Sequence, residues 1–191
     1  MFGRIKLALT CLIGMAVGLL SAHYVAGGGL DLVARAQGPW RTWPSAGLNT
    51  MDPYTKAHFL ATGRLPDNRR EIVEYEAWSD SDGRPLDAAC SYSVQGDFAW
   101  SRWWSISVTE KGTVEPRRGG RAYSLDSGEI VLQPDSTALV SVSAHAASGN
   151  WLAMPASGAV GLLLRFYDPV PGTRERPGIQ SLPRILRRDC Q

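Results

Sequence analysis

The residues able to do chemistry in this chain are few and scattered. Of its three histidines, His23 falls in an apolar run, which leaves His58 and His145. No CxxC, HxH or HExxH spacing supplies a metal site, and neither a metal nor a cofactor is expected. The stretch from Trp78 to Asp87, WSDSDGRPLD, resembles a calcium loop at first sight. Aligning Gly83 with the loop glycine puts Trp78 and Ala89 at the first and last ligand positions, where carboxylates are required. Asp80, Asp82 and Gly83 instead spell a turn, with short carboxylates capping backbone amides. Ser157-Gly158 lacks the GxSxG context of an activated serine. Glu74, Glu76 and Asp97 are acids that strands can bring together for glycoside hydrolysis, but no spacing singles them out. No catalytic residue is assigned.

The aromatics are the stronger signal. The chain has seven tryptophans in 191 residues: Trp40, Trp43, Trp78, Trp100, Trp103, Trp104 and Trp151. Trp stacks on sugar rings and apolar ligands; equally, it buries a large area while hiding one N–H. Trp103 and Trp104 are neighbours on one strand and must point to opposite faces, so one of them is available to a partner or to a covering segment. Arg165 stands in the apolar run LLLRFYD, on the face of Leu163 and Tyr167. A charge there is costly unless paired. The expected partner is an acid such as Asp97, with a ligand as the alternative. Asn150 and Trp151 sit just before a break at Pro155. The candidate ligand-binding set is therefore Asn150, Trp151, Arg165, Tyr167 and Trp103.

These side chains need a scaffold, and the N-terminus is not part of it. Arg4 and Lys6 precede an uncharged run from Leu7 to Gly27, about 20 residues and long enough to cross a bilayer as a helix. Positive residues before the span keep the N-terminus in the cytoplasm and send the remainder across. A cleaved signal peptide is the rival, with Val25-Ala26-Gly27 or Ala26-Gly27-Gly28 as mediocre cleavage sites. Gly14 and Gly18 form a GxxxG spacing that lets two such helices approach closely as a homodimer. Cys11 lies in the span. Cys90 and Cys190 remain in the exported part, where an oxidising compartment pairs them; two free thiols are the alternative. Closing a loop of about 100 residues contributes on the order of 4 kcal/mol in the chain-entropy model.

Beyond the span, Asp52 is a good N-cap, Pro53 suits the first helical turn and Gly63 the end. This predicts a helix from Pro53 to about Thr62, with Tyr54, Ala57, Leu60 and Ala61 as its packing face. LDLVARAQGPW reads as a second short helix before Gly38-Pro39. From Arg69 onward the period changes to two. REIVEYEAW, CSYSVQG, WSRWWSISVTE, TALVSVSAHA and AVGLLLRFYD read as strands, the last apolar on both faces as a central strand would be. RAYSLDSGEIVLQP reads as a hairpin turning at Asp126–Glu129. With 20 Gly and 12 Pro punctuating short strands, the fold class is mainly β: an antiparallel β-sandwich or jelly-roll-like domain, with one or two short N-terminal helices and one N-terminal transmembrane helix.

DSDGRPLDAACSYSVQG, SRWWSISV, YSLDSGEIVLQP and above all GNWLAMPASGAVGLLLRFYDP resemble the bacterial exported family known as the domain of unknown function numbered 1214. Asn150, Trp151, Leu152, Pro155, Leu164, Arg165, Tyr167 and Pro169 match its last motif. The family's proline after Trp-Leu is Ala153 here. DPYTKAHFLATGRLP is similar to the short, membrane-anchored branch. The resemblance covers about residues 40–190. It implies a jelly-roll-like β domain, found beside or fused to a second family, numbered 1254. It implies no activity.

The expected layout is a cytoplasmic N-terminus (1–6), a transmembrane anchor (7–27), a juxtamembrane linker (28–50), a β-sandwich with its covering helix (51–170) and a surface tail (171–191). The expected role is a binding or assembly module, anchored in the inner membrane and facing the periplasm, for an envelope ligand or partner. A companion family-1254 protein is the first partner candidate. An envelope enzyme acting on a saccharide is the alternative. The formal charge of +2, without a Lys/Arg-rich block ahead of the tail, does not suggest a nucleic-acid partner.

Overall fold

The structure, a computed structural model, describes residues 2–26, 33–69, 71–98, 101–110, 113–114, 123–169 and 182–190. Gly27–Gly29, Trp100 and the start of the C-terminal segment lie outside the described residues. Helix α1, Phe2–Ala26, carries the apolar run. Its stretch Gly3–Val25, with a best 18-residue window of mean hydropathy 2.0, is long and apolar enough to cross a membrane. Its described side chains are exposed along the whole length except at Val25.

Helix α2, Pro53–Thr62, forms where the caps place it. The Asp52 carboxylate accepts from Thr55 N at 2.9 Å, and Gly63 ends the helix at φ 67°, the left-handed conformation that favours glycine. The packing face differs from the expected one. Thr55, His58 and Phe59 are buried, whereas Tyr54, Leu60 and Ala61 are exposed. Tertiary partners decide this: His58 stacks on Trp43 with ring centroids 4.2 Å apart, and Phe59 meets Trp43 edge-on at 6.0 Å.

Among the described residues, two sheets hold the strands. The first runs in the order β1 (Arg35–Gln37), β2 (Trp40–Thr42), β3 (Ile72–Ala77), β10 (Gly161–Pro169), β5 (Ser101–Glu110) and β6 (Thr113–Val114), with β7 (Ser124–Asp126) also on β5. The second is β11 (Arg184–Cys190), β4 (Cys90–Gly96), β8 (Ala138–Ser143) and β9 (Asn150–Ala153). One buried cluster joins them. Val73, Trp104, Ile106, Leu164 and Phe166 come from the first sheet, and Tyr92, Val94, Val140, Leu152 and Ile185 from the second. Period-two alternation produces this directly: in β8, buried and half-buried residues alternate without a break. Among the described residues the protein is thus mainly β, two-layered, with two helices.

Four expectations about local structure change. LDLVARAQGPW is not a helix where it is described; Arg35–Gln37 and Trp40–Thr42 form a hairpin around Gly38 at φ 59°. Burial of Trp40 overrides local preference: its side chain is fully buried and its Nε1 donates to Pro183 O at 2.7 Å. The Asp126–Glu129 turn exists, but the segment after it does not pair back onto β7, which pairs with β5 instead. The C-terminal segment is not only a surface tail, since Arg184–Cys190 adds an edge strand against β4, and the Cys90–Cys190 disulfide joins the two strands. Finally, β8 and β9 pair in parallel through the short connection 144–149, where a parallel pair ordinarily needs a longer crossover.

Candidate functional site

Three of the five candidate residues meet on the outward face of the first sheet. Antiparallel register sets them in rows across β3, β10 and β5. Ile72, Tyr167 and Trp103 form one row, Glu74, Arg165 and Ser105 the next, and Glu76, Leu163 and Ser107 the third. Leu162, Leu164 and Phe166 alternate inward to the core. Trp104 also turns inward, which leaves Trp103 outside, 40% exposed. Its ring lies 4.4 Å from that of Tyr167, tilted by 54°. Trp103 is thus the outward member of the Trp103-Trp104 doublet, with the half-buried Tyr167 against it.

Beside it lies a row of charges. Arg165 Nε donates to Glu74 Oε2 at 2.8 Å and approaches Asp67 Oδ2 at 3.4 Å. The acids that hold it are thus Glu74 and Asp67, not Asp97; strand register delivers the first and the loop after α2 the second. Arg64, turned inward just past Gly63, ion-pairs with both Glu74 and Glu76, and its guanidinium lies 5.4 Å from the centre of the Phe59 ring. Burial, with the nearby Arg165, pushes Arg64 down to about 10 while Asp67 acts the other way; the group stays charged at neutral pH. Trp78 Nε1 donates to Glu76 Oε2 at 3.2 Å. Each of these three carboxylates is engaged by a guanidinium. Such an arrangement fixes the charges and their positions on this face.

Arg69 lines the inner edge of the same region. Its Nη1 donates to Thr42 Oγ1 and Trp43 O, both at 3.3 Å, and burial lowers its pKa, partly offset by Tyr75. Its Nη2 is buried and, among the described residues, has no hydrogen-bond partner. A cavity of about 20 Å³ between Trp43, Phe59, Asp67, Arg69 and Glu74 adjoins it, room for one water. Sequence reading missed Arg64, Asp67 and Arg69. They lie in GRLPDNRR, between the helix and the first strand, where no spacing marks them out, and only the fold over β3 buries part of it.

Asn150 and Trp151 lie in the other layer. Asn150 Oδ1 accepts from Val131 N at 2.8 Å, and its Nδ2 donates to Val131 O and Leu139 O. Its amide therefore holds the segment after β7 against β8. Trp151 is half-buried beside Ser141 in the parallel register, and its Nε1 donates to Ser143 O at 3.2 Å. An open groove of about 780 Å³ crosses this face, lined by Ser91, Ser93, Ser141, Ser143 and His145 among others. The DSDG turn stands as read from the sequence. Asp80 accepts from Asp82 N and Arg84 N, and Gly83 sits at φ 84°. It also docks the C-terminal strand through Arg187 Nε at 3.3 Å. Among the described residues, no group of His, Cys, Asp and Glu side chains is placed to hold a metal ion.

Comparison with solved structures gives the VPA0106 protein from Vibrio parahaemolyticus, with a TM-score of 0.62 at 16% identity, over 93% of this chain and 44% of that one. An uncharacterised protein from Burkholderia cenocepacia matches at a TM-score of 0.49 and 18% identity, over 92% of this chain and 42% of that one. The chain thus spans less than half the length of either, and the first likeness shows the fold alone. Comparison with curated proteins finds no match. The family model described as "Protein of unknown function (DUF1214)" matches residues 71–171, the stretch that carries β3 to β10 with Glu74, Glu76, Trp103, Arg165 and Tyr167, whereas Arg64, Asp67 and Arg69 precede it. The chain belongs to that family.

Proposed function

We propose that this protein is a membrane-tethered binding module. Its sandwich stands on the periplasmic side of the inner membrane and takes an envelope partner or ligand at Trp103 and Tyr167. One observation carries the reading: two aromatic rings in contact at 4.4 Å, one of them 40% exposed, are held in register on rigid strands beside a paired arginine. Rigid, part-exposed aromatics next to a guanidinium supply contact area at low entropic cost, as binding surfaces do. Supporting the topology are the apolar length of α1, the positive residues before it, and a disulfide, which persists in oxidising compartments.

The alternative, a saccharide-cleaving envelope enzyme, needs an acid free to transfer a proton. The acids nearest the aromatic pair are in ion pairs with Arg64 and Arg165, which favours binding. The family resemblance makes a companion family-1254 protein the first partner to test, and pairing of two anchors through Gly14 and Gly18 would double the module.

The test is photo-crosslinking from position 103 in intact cells, followed by recovery from detergent-solubilised membranes. A discrete adduct that disappears with Tyr167→Ala supports the reading. An adduct-free position 103, together with saccharide turnover by the purified chain, would transfer the case to the enzyme.

A further inference from the structure

The side of α2 that the sandwich leaves open is an apolar one. Leu60 is 81% exposed, Leu65 just beyond the helix is 91% exposed, and Tyr54 and Ala61 are exposed with them. The buried side carries Thr55 and His58 beside Phe59. This inverts the usual surface helix, which turns its polar side to water. Position explains the inversion. Helices α1 and α2 approach each other, and Val25 is the buried one among the described side chains of α1, so they meet at the end of α1. Tyr24 beside it is exposed, an amphipathic ring of the kind that marks the boundary between hydrocarbon and headgroups. A helix of 25 residues rises about 37 Å, somewhat more than the roughly 30 Å of a bilayer's hydrocarbon core. The end of α1 therefore emerges at headgroup level, and α2 is held against that end.

We infer that α2 is an interfacial helix. Tyr54, Leu60, Ala61 and Leu65 lie in the headgroup–acyl boundary of the bilayer that α1 crosses, and the exposed Lys56 reaches toward anionic headgroups. The membrane then fixes how the sandwich stands, where a bare tether would let it swing. The end of α2 sets Phe59 and Arg64 against Glu74 and Glu76 on the outward face of the first sheet, so this face turns toward the bilayer with α2, and a ligand of Trp103 and Tyr167 on the same face is one that reaches the bilayer surface. The inference rests on α1 spanning the membrane.

The test uses the full chain in vesicles of phosphatidylcholine and phosphatidylglycerol, with Cys11→Ser as background so that an introduced cysteine is the free thiol. Leu60→Cys, Leu65→Cys and, as a control on an exposed loop, Gln133→Cys each carry an environment-sensitive fluorophore. Lipid spin-labelled near its headgroup is the quencher. Labels at 60 and 65 should emit blue-shifted light and lose most of it to the spin label, while the label at 133 does neither. Water-like emission at 60 and 65 overturns the inference. So does blue-shifted emission that the lipid does not quench, which would mean that a second copy or a partner covers α2. Carbonate extraction of the same vesicles separates the two levels. Loss of the chain from the membrane sinks the anchor itself, whereas retention with water-like labels sinks only the placement of α2.

Discussion

Removing the Glu74 carboxylate should unlock the outward face of the first sheet. Glu74 is the acid shared by two guanidiniums, Arg64 from beyond α2 and Arg165 from β10. In Glu74→Gln, Arg64 keeps Glu76 and Arg165 keeps Asp67 at 3.4 Å, but the two cations face each other without the intervening charge. Arg64 is 9% exposed, so little water reaches it, whereas Arg165 is 27% exposed and recovers part of its hydration. Breaking a fully buried pair costs about 3–5 kcal/mol. Partial exposure and the residual acids bring the expected loss to about 2–3 kcal/mol. The assay is urea unfolding of the full chain in mild detergent, followed by tryptophan fluorescence. Combining Glu74→Leu with Arg165→Met should cost less than the sum of the single changes by at least about 1 kcal/mol, because the coupled charges leave together. A Glu74→Gln protein within about 0.5 kcal/mol of the parent, the range of ordinary surface changes, would refute the argument. Arg165 would then be a solvated group free for a ligand, not a scaffold charge.

Two further outcomes follow from the same structure. Replacing both Cys90 and Cys190 by Ala opens a loop of sequence separation 100 and should lower stability by about 2–5 kcal/mol, read by thermal unfolding; no change would mean that β11 holds to β4 by strand pairing alone. Burial works to raise the Asp52 carboxyl, but hydrogen bonds from Ser45 and Thr55 prevail and hold it at about 2, below its ordinary 3.8. A carboxyl depressed on folding stabilises above its unfolded pKa, and that contribution is lost as pH falls from about 4 to about 2. Asp52→Asn, still a good cap, should flatten this acid limb, while Asp52→Ala should cost about 1 kcal/mol at neutral pH; an unaltered acid limb in Asp52→Asn would assign it to other groups.

Local and periodic information was legible in the chain. The caps of α2, the apolar run of α1, the strands β3, β4, β5, β8 and β10, and the opposed directions of Trp103 and Trp104 all depend on residues within a few positions of one another, where backbone geometry fixes the outcome. The two cysteines assigned to the exported part paired for a compositional reason. What required tertiary structure was every relation across layers and between distant strands. Arg165 carried an unmistakable need for an acid, but its partners were set by the β3–β10 register and by the loop after α2, neither of which has a local signature. Strand pairing also turned 35–42 into a hairpin and 184–190 into an edge strand, since burial of Trp40 and Ile185 outweighs weak local preferences. The inward face of α2 was misread for a related reason. Periodicity reports which residues share a face, but whether that face meets the core or a lipid surface depends on what lies opposite, and both are apolar.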